Sequence, residues 1–258
     1  MNIPSFRTPP VSEVAAGVQF EQLIPFQTRF FGQFWSEVAK DYPTTQDVPP
    51  VQGGVEQGTL SMQIMTVPPL RRVLFISRDQ QFLIQLQDSR LHHNWRKVNN
   101  KTEYPRFPEV YNRFVATWNL FLDFLKRQGL SQPRLTRYEL TYVNEIEVES
   151  ETMASDVERF VRLYVSLAHR EFLPPPSSVG SNWQFVLPDE KGQLHATLSH
   201  VRKPDGKEAA ILALNCFGSA ANKNYTMPEW FQTAHEWIVR GFADLTTEEA
   251  HRAWGRER

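Results

Sequence analysis

One pattern constrains this chain more than any other: its apolar spacing switches from a period of two to a period of four, and does so twice in the same order. Side chains alternate across a strand and return to one face of a helix after about 3.6 residues, so the two spacings distinguish the two elements. Val14, Ala16, Val18 and Phe20 alternate with Glu13, Ala15, Gly17 and Gln19, which predicts a half-buried strand from Val11 to Phe20. Phe26, Phe30, Phe34 and Val38 then recur at four-residue spacing, with Phe31 and Trp35 widening the stripe. That predicts a helix with Pro25 in its first turn, running to about Lys40. Asp41 to Gly58 is rich in proline, glycine and polar residues and is expected to be a long loop. Short strands follow at Leu60 to Met65, Val73 to Ser77, Phe82 to Gln87 and Leu91 to Val98. A long helix from Phe107 to Gln128 is closed by Gly129.

The order then begins again. Leu140, Tyr142, Ile146 and Val148 alternate with Glu139, Thr141, Glu145 and Glu147 in a strand from Arg134 to Val148. Val157, Phe160, Val161, Tyr164 and Leu167 make the apolar face of a helix ending near His169. After a proline loop come strands at Trp183 to Leu187, Leu194 to Val201 and Ala209 to Phe217, the last two joined by a hairpin turn at Pro204-Asp205-Gly206. A long helix from Pro228 to about Leu245 and a short one around Ala250 finish the chain. The expectation is an α+β protein of two similar halves, residues 1–130 and 131–258, each reading strand, helix, antiparallel strands, long helix. In outline this order resembles the helix-grip and TATA-box-binding-protein-like folds, in which a curved sheet wraps a long helix; that comparison concerns shape alone.

Several stretches carry a family resemblance. They are Pro9-Pro10-Val11-x-Glu13-Val14, Gln85-Leu86-Gln87-Asp88, Asn94-Trp95-Arg96, Tyr104-Pro105-Arg106, and Tyr138-Glu139-Leu140-x-Tyr142-Val143-Asn144. Ala234-His235-Glu236 leading to His251-x-x-Trp254-Gly255 completes the set. In this order they resemble a sporadically distributed prokaryotic family of uncharacterised function, over nearly the whole chain. The resemblance implies a patchy distribution like that of mobile or defence-associated genes, and so a component of a bacterial defence or toxin–antitoxin-like module. It supplies no reaction, cofactor or catalytic residue.

Among single residues, Asn94, Trp95 and Arg96 form the most suggestive cluster. On a strand Trp95 takes one face while Asn94 and Arg96 share the other. Arg71, Arg72, Arg78, Arg90, Lys97, Lys101 and Arg106 make 71–106 a basic segment, which also holds His92 and His93. A guanidinium fork suits carboxylate or phosphate, so the segment is read as a partner or anion site. The structural alternative pairs these cations with Glu145, Glu147, Glu149 and Glu151, or leaves them solvated. Asn144 interrupts an apolar alternation, and a buried amide must find several hydrogen bonds; it is the third candidate binding residue.

Other residues point less far. Glu13 and Glu139 open the first strand of each half, but nothing in the sequence sets their separation. His235 lies inside an apolar helix stripe and is expected to be a satisfied core residue. His195 and His200 face opposite sides of one strand and cannot share a metal. Gly53 to Gly58 leads into a strand and lacks the Lys and Ser/Thr of a phosphate loop.

Composition sets the remaining bounds. With 258 residues, 41% of them hydrophobic, the chain can bury a core without staples, and its single cysteine, Cys216, excludes an intrachain disulfide. A net charge of −1 gives no global drive toward nucleic acid or anionic membrane. No run approaches the roughly 20 apolar residues of a membrane span, and Met1 to Pro10 lacks the apolar core of a signal peptide. The expected protein is therefore a cytoplasmic, non-enzymatic binding protein with an unknown protein partner and no cofactor or metal, using Asn94, Arg96 and Asn144. An enzyme or small-ligand binder with a cavity between sheet and long helix is the first alternative. Nucleic-acid binding through 71–106 is the second, disfavoured by the acidic second half.

Overall fold

The structure, a computed structural model, describes residues 3–50, 70–147, 157, 159–162, 172, 178–203 and 206–257. It is an α+β protein with antiparallel strand pairing, and the chain divides into two compact units. Residues 16–136 form a contiguous unit; residues 1–15 and 137–258 form a composite one. The strand β1 (Val11–Phe20) contributes its second half to the former and its first half to the latter.

In the contiguous unit α1 (Thr28–Val38) follows β1 and leads to β2 (Thr44–Val48), β3 (Arg72–Ile76), β4 (Phe82–Gln87) and β5 (Arg90–Arg96). These lie in the order β1-β5-β4-β3-β2, and the pairs from β5 to β2 are antiparallel neighbours in sequence. The long helix α2 (Phe107–Arg127) closes the unit. Its apolar stripe and that of α1 meet the sheet through rings: Phe34 is 5.4 Å from Phe121 and from Phe124, and 6.0 Å from Phe75 of β3. Fully burying a phenylalanine is worth about 1.5–3 kcal/mol, so this cluster is a principal source of the unit's stability. Helix α2 ends where Leu130 N–H donates to the Leu125 carbonyl (2.9 Å) around Gly129, whose φ of 68° is the left-handed conformation that this cap needs.

Three sequence expectations change here. Residues 44–48, expected to be loop, form the strand β2, because a terminal strand exposed on both faces needs no apolar alternation. Thr44, Thr45 and Val48 supply the β-branched side chains instead. Pro25 does not open α1, which starts at Thr28; it lies in the preceding turn, where Phe26 N–H donates to the Leu23 carbonyl. Strand β1 is not half-buried: Ala15 and Gly17, on the face opposite Val14 and Val18, are buried too, Gly17 beneath the His92 ring. The expected strand at Leu60 to Met65 and most of the helix ending near His169 lie outside the described residues.

In the composite unit the first half of β1 leads to β6 (Leu135–Glu147), β9 (Glu208–Ser219), β8 (Gly192–Arg202) and β7 (Gly180–Leu187), in that spatial order. Glu145 N–H donates to the Pro10 carbonyl at 2.8 Å, tying β6 to the start of β1. Helix α3 (Met227–Leu245) starts with a capping box: the Thr226 hydroxyl accepts from the Glu229 N–H, and the Glu229 carboxylate accepts from the Thr226 N–H. Its Trp230 rests against Gly218, where a β-carbon would stand 1.8 Å from the indole nitrogen; that nitrogen donates to the Lys191 carbonyl (2.9 Å). The short helix α4 (Glu248–Ala253) follows. Arg7 and Thr8 N–H donate to the carbonyls of Gly255 and Trp254, and Glu257 N–H to that of Ser5, so residues 5–8 and 254–257 lie side by side.

No described helix is long and apolar enough to cross a membrane.

Candidate functional site

Burying a polar group is costly unless it is satisfied, so clusters of buried polar residues mark either a structural network or a site. Of the ten buried polar residues among those described, five lie within 87–94: Gln87, Asp88, Arg90, His93 and Asn94. They belong to the β4–β5 hairpin, and alternation divides them between two faces. Leu91, His93 and Trp95 point toward the helices, since His93 Nδ1 lies 2.8 Å from the Thr117 hydroxyl of α2. Arg90, His92, Asn94 and Arg96 therefore face the other way.

The register aligns this outer face with β4 and β3. Gln85 is opposite His92, Asn94 is opposite Leu83, and Leu74 is opposite Gln85. Across it runs a directed string of hydrogen bonds: Arg72 Nη1 donates to Gln85 Oε1, and Gln85 Nε2 donates to Asn94 Oδ1, both at 2.8 Å. Arg72 Nε is buried and has no hydrogen-bond partner among the described residues. On the β1 side, His92 lies against Gly17, where a β-carbon would be 2.2 Å from Cδ2 and 2.7 Å from the Leu91 carbonyl oxygen. At the hairpin end, Gln22 Nε2 donates to Asp88 Oδ2 at 2.7 Å. The result is a largely buried polar face, with a guanidinium at one end and an imidazole at the other. Such a surface suits carboxylate, phosphate or amide-carbonyl acceptors.

The three residues singled out from sequence occupy different settings. Asn94 is in the string just described and is 1% exposed. Arg96 shares its face and is half-buried, with Nε donating to the Gln80 carbonyl at 2.7 Å; it braces the β3–β4 turn, where Gln80 has φ of 61°. Asn144 belongs to the composite unit. It is buried on β6 and its Nδ2 donates to the Leu212 carbonyl of β9, its register partner, at 3.1 Å. In sequence Arg72 stands out only as one cation of the basic segment and Gln85 only within a motif, although Gln85 and Gln87 at two-residue spacing, followed by Arg90, His92 and Asn94, signal a polar face on a hairpin.

Three cations of the basic segment have structural partners. Arg71 pairs with Asp47 (3.0 Å), Arg78 donates to the Lys40 carbonyl (3.4 Å), and the Arg106 guanidinium lies over the Tyr104 ring. Trp95 is 1% exposed, its ring 5.2 Å from that of Tyr104, so it offers no face for a base to stack on.

Burial lowers the pKa values of His93, His235 and His251. On the helix side, His93 Nε2 lies 3.1 Å from the Tyr42 hydroxyl. Burial, with the Arg113 guanidinium adding to it, pushes its pKa down to about 3. His235 sits 3.0 Å from the Tyr142 hydroxyl, and burial pushes it down to about 4. His251 Nδ1 accepts from Arg256 (2.9 Å), which leaves the proton on Nε2, facing the Thr246 hydroxyl (2.9 Å). The Cys216 thiol is fully buried and pushed up to about 12.

A separate cavity of about 630 Å³ lies in the contiguous unit beside α1 and the β2–β3 pair. Phe31, Trp35, Val73 and Phe75 give it apolar walls, and the Arg71–Asp47 ion pair borders it.

No protein-family model matches the chain, and comparison with curated proteins finds no similar sequence.

Proposed function

We propose that this is a non-enzymatic interaction protein that holds an acid-bearing segment of a protein partner on the outer face of the β4–β5 hairpin. The Arg72–Gln85–Asn94 string carries the reading. Each amide is oriented by its neighbour, and Arg72 Nε remains buried without a partner among the described residues. Preorganised donors lower the cost of fixing a partner's acceptors. The resemblance to a sporadic prokaryotic family adds the setting of this proposal, a cytoplasmic component of a defence or toxin–antitoxin-like module. Within the same proposal the two units are diverged copies of one strand–helix–strands–helix plan with a helix-grip outline; the similar order of elements supports this.

Arg72→Ala tests the function. The variant should melt as a cooperative fold and retain at least tenfold less of an acidic probe such as poly-glutamate, or of any co-purifying partner, than the wild type. Equal retention by the two proteins rejects the site.

The cavity beside α1 supports a second reading, a small apolar ligand, since its volume falls in the range of small-molecule pockets. Gly32→Leu, which fills space left open at a glycine with no atom near its β-position, should abolish ligand-induced thermal shifts while sparing poly-glutamate binding.

A further inference from the structure

The last strand in the sheet order of each unit is built differently. β2 has five residues, and its Asp47 carries an ion pair with Arg71. Short length and charge are the usual protections of an open edge. β7 has eight residues, Gly180–Leu187, none of them charged and none proline. Among the described residues it pairs with β8 alone, so its outer row of N–H and C=O groups is open. Large apolar side chains lie along it: Val186 is 77% exposed and Phe185 36%.

We propose that β7 is a dimerisation edge, on which a second copy of this chain adds its own β7 antiparallel about a two-fold axis. A two-fold perpendicular to the sheet keeps each face on its own side, so opposed residues must have the same parity. Centring the axis on Gln184 sets Trp183 opposite the partner copy's Phe185, and Phe185 opposite its Trp183. It also sets Val186 opposite Asn182. Both aromatic side chains lie on the face of Ala196 and Leu194, their register partners in β8. Two cross-strand aromatic pairs form at once, whereas other same-parity registers give at most one. An uncharged strand also offers no electrostatic selection for a charged partner, and its own copy matches it on that count. This edge is separate from the β4–β5 face and does not depend on it.

Gln184 is exposed, so changes there leave the fold of one copy intact and act only across the axis. Sedimentation of the full chain over a wide concentration range should show a monomer–dimer equilibrium. Gln184→Lys places two like charges face to face and should raise the dimer dissociation constant about tenfold or more. Gln184→Cys should yield a disulfide-linked dimer on mild oxidation, because directly opposed Cα atoms at about 4.5–5.5 Å suit a disulfide. Asn182→Cys should not, and Cys216 is buried and does not compete. A chain monomeric at every concentration, a dimer indifferent to Gln184→Lys, or equal cross-linking at 182 and 184 would each overturn the proposal.

Discussion

The His92 imidazole rests on the backbone of Gly17, in space that any β-carbon at residue 17 would occupy, 2.2 Å from Cδ2. The two residues belong to neighbouring strands, so the glycine is what allows β5 to carry a ring on its outer face beside β1. Gly17→Ala should destabilise the fold by about 1–3 kcal/mol, the range for overpacking. His92→Ala in the same chain relieves only part, because the Leu91 carbonyl also stands 2.7 Å away. Urea denaturation of the single and double variants measures this; a neutral Gly17→Ala would show that β1 and β5 separate freely.

Gln85 donates to Asn94 and accepts from Arg72, so Gln85→Ala removes two hydrogen bonds. A loss of about 1–3 kcal/mol is expected, since the buried Asn94 amide and the half-buried Arg72 guanidinium are left short of partners. In a double-mutant cycle, Gln85→Ala and Asn94→Ala should couple by about 0.5–1.5 kcal/mol. Additive effects would mean that the string does not act as a unit.

Folding stability should fall in mild acid. His93 and His235 have folded-state pKa values of about 3 and about 4, against an ordinary value of 6.5, both depressed chiefly by burial. The unfolded chain therefore binds protons that the folded chain refuses, and stability drops as pH falls from about 6.5 toward 4. Each histidine contributes about 1.4 kcal/mol per pH unit within that window. His235→Gln should flatten the slope by one histidine's share, measured by denaturation at pH 7, 6 and 5. An unchanged slope would place the acid sensitivity elsewhere.

Thr226→Ala opens the capping box of α3 and should cost about 1 kcal/mol. Thr226→Ser keeps the hydroxyl and should restore most of it.

Cys216 should be unreactive toward a thiol reagent in the native state, with its thiol pushed up to about 12 and no exposed surface. Labelling that keeps pace with denaturant unfolding is the expected result, and rapid native labelling would contradict the burial.

Much of the fold was legible because periodicity reports burial directly. Phe30, Phe31, Phe34 and Val38 announced α1, Val110 through Leu125 announced α2, and both stripes are buried. β2 was not legible, since Thr44, Thr45, Gln46 and Asp47 face solvent on both sides and periodicity records only a buried face. The site was read in part. Asn94 stood out because its neighbours are basic, yet what orients it is Gln85, nine residues away in sequence and brought close by the hairpin register. In sequence Arg96 reads as a binding guanidinium or as one paired with an acid or solvated, but a turn residue with positive φ puts a carbonyl within its reach. Hydrogen bonds set by tertiary register leave no local signature.

The contiguous unit is an unbroken run of chain, whereas the composite unit needs residues 1–15 as well as 137–258. A ribosome therefore delivers every strand of the former before it has made β6, β7, β8 or β9. Pro10, at the start of β1, must wait for Glu145 to donate its N–H before its own pairing is complete. Order of synthesis and order of consolidation thus run opposite to one another for Pro10, and a chain halted near residue 136 would carry every strand of the contiguous unit while the start of β1 still lacked its β6 partner.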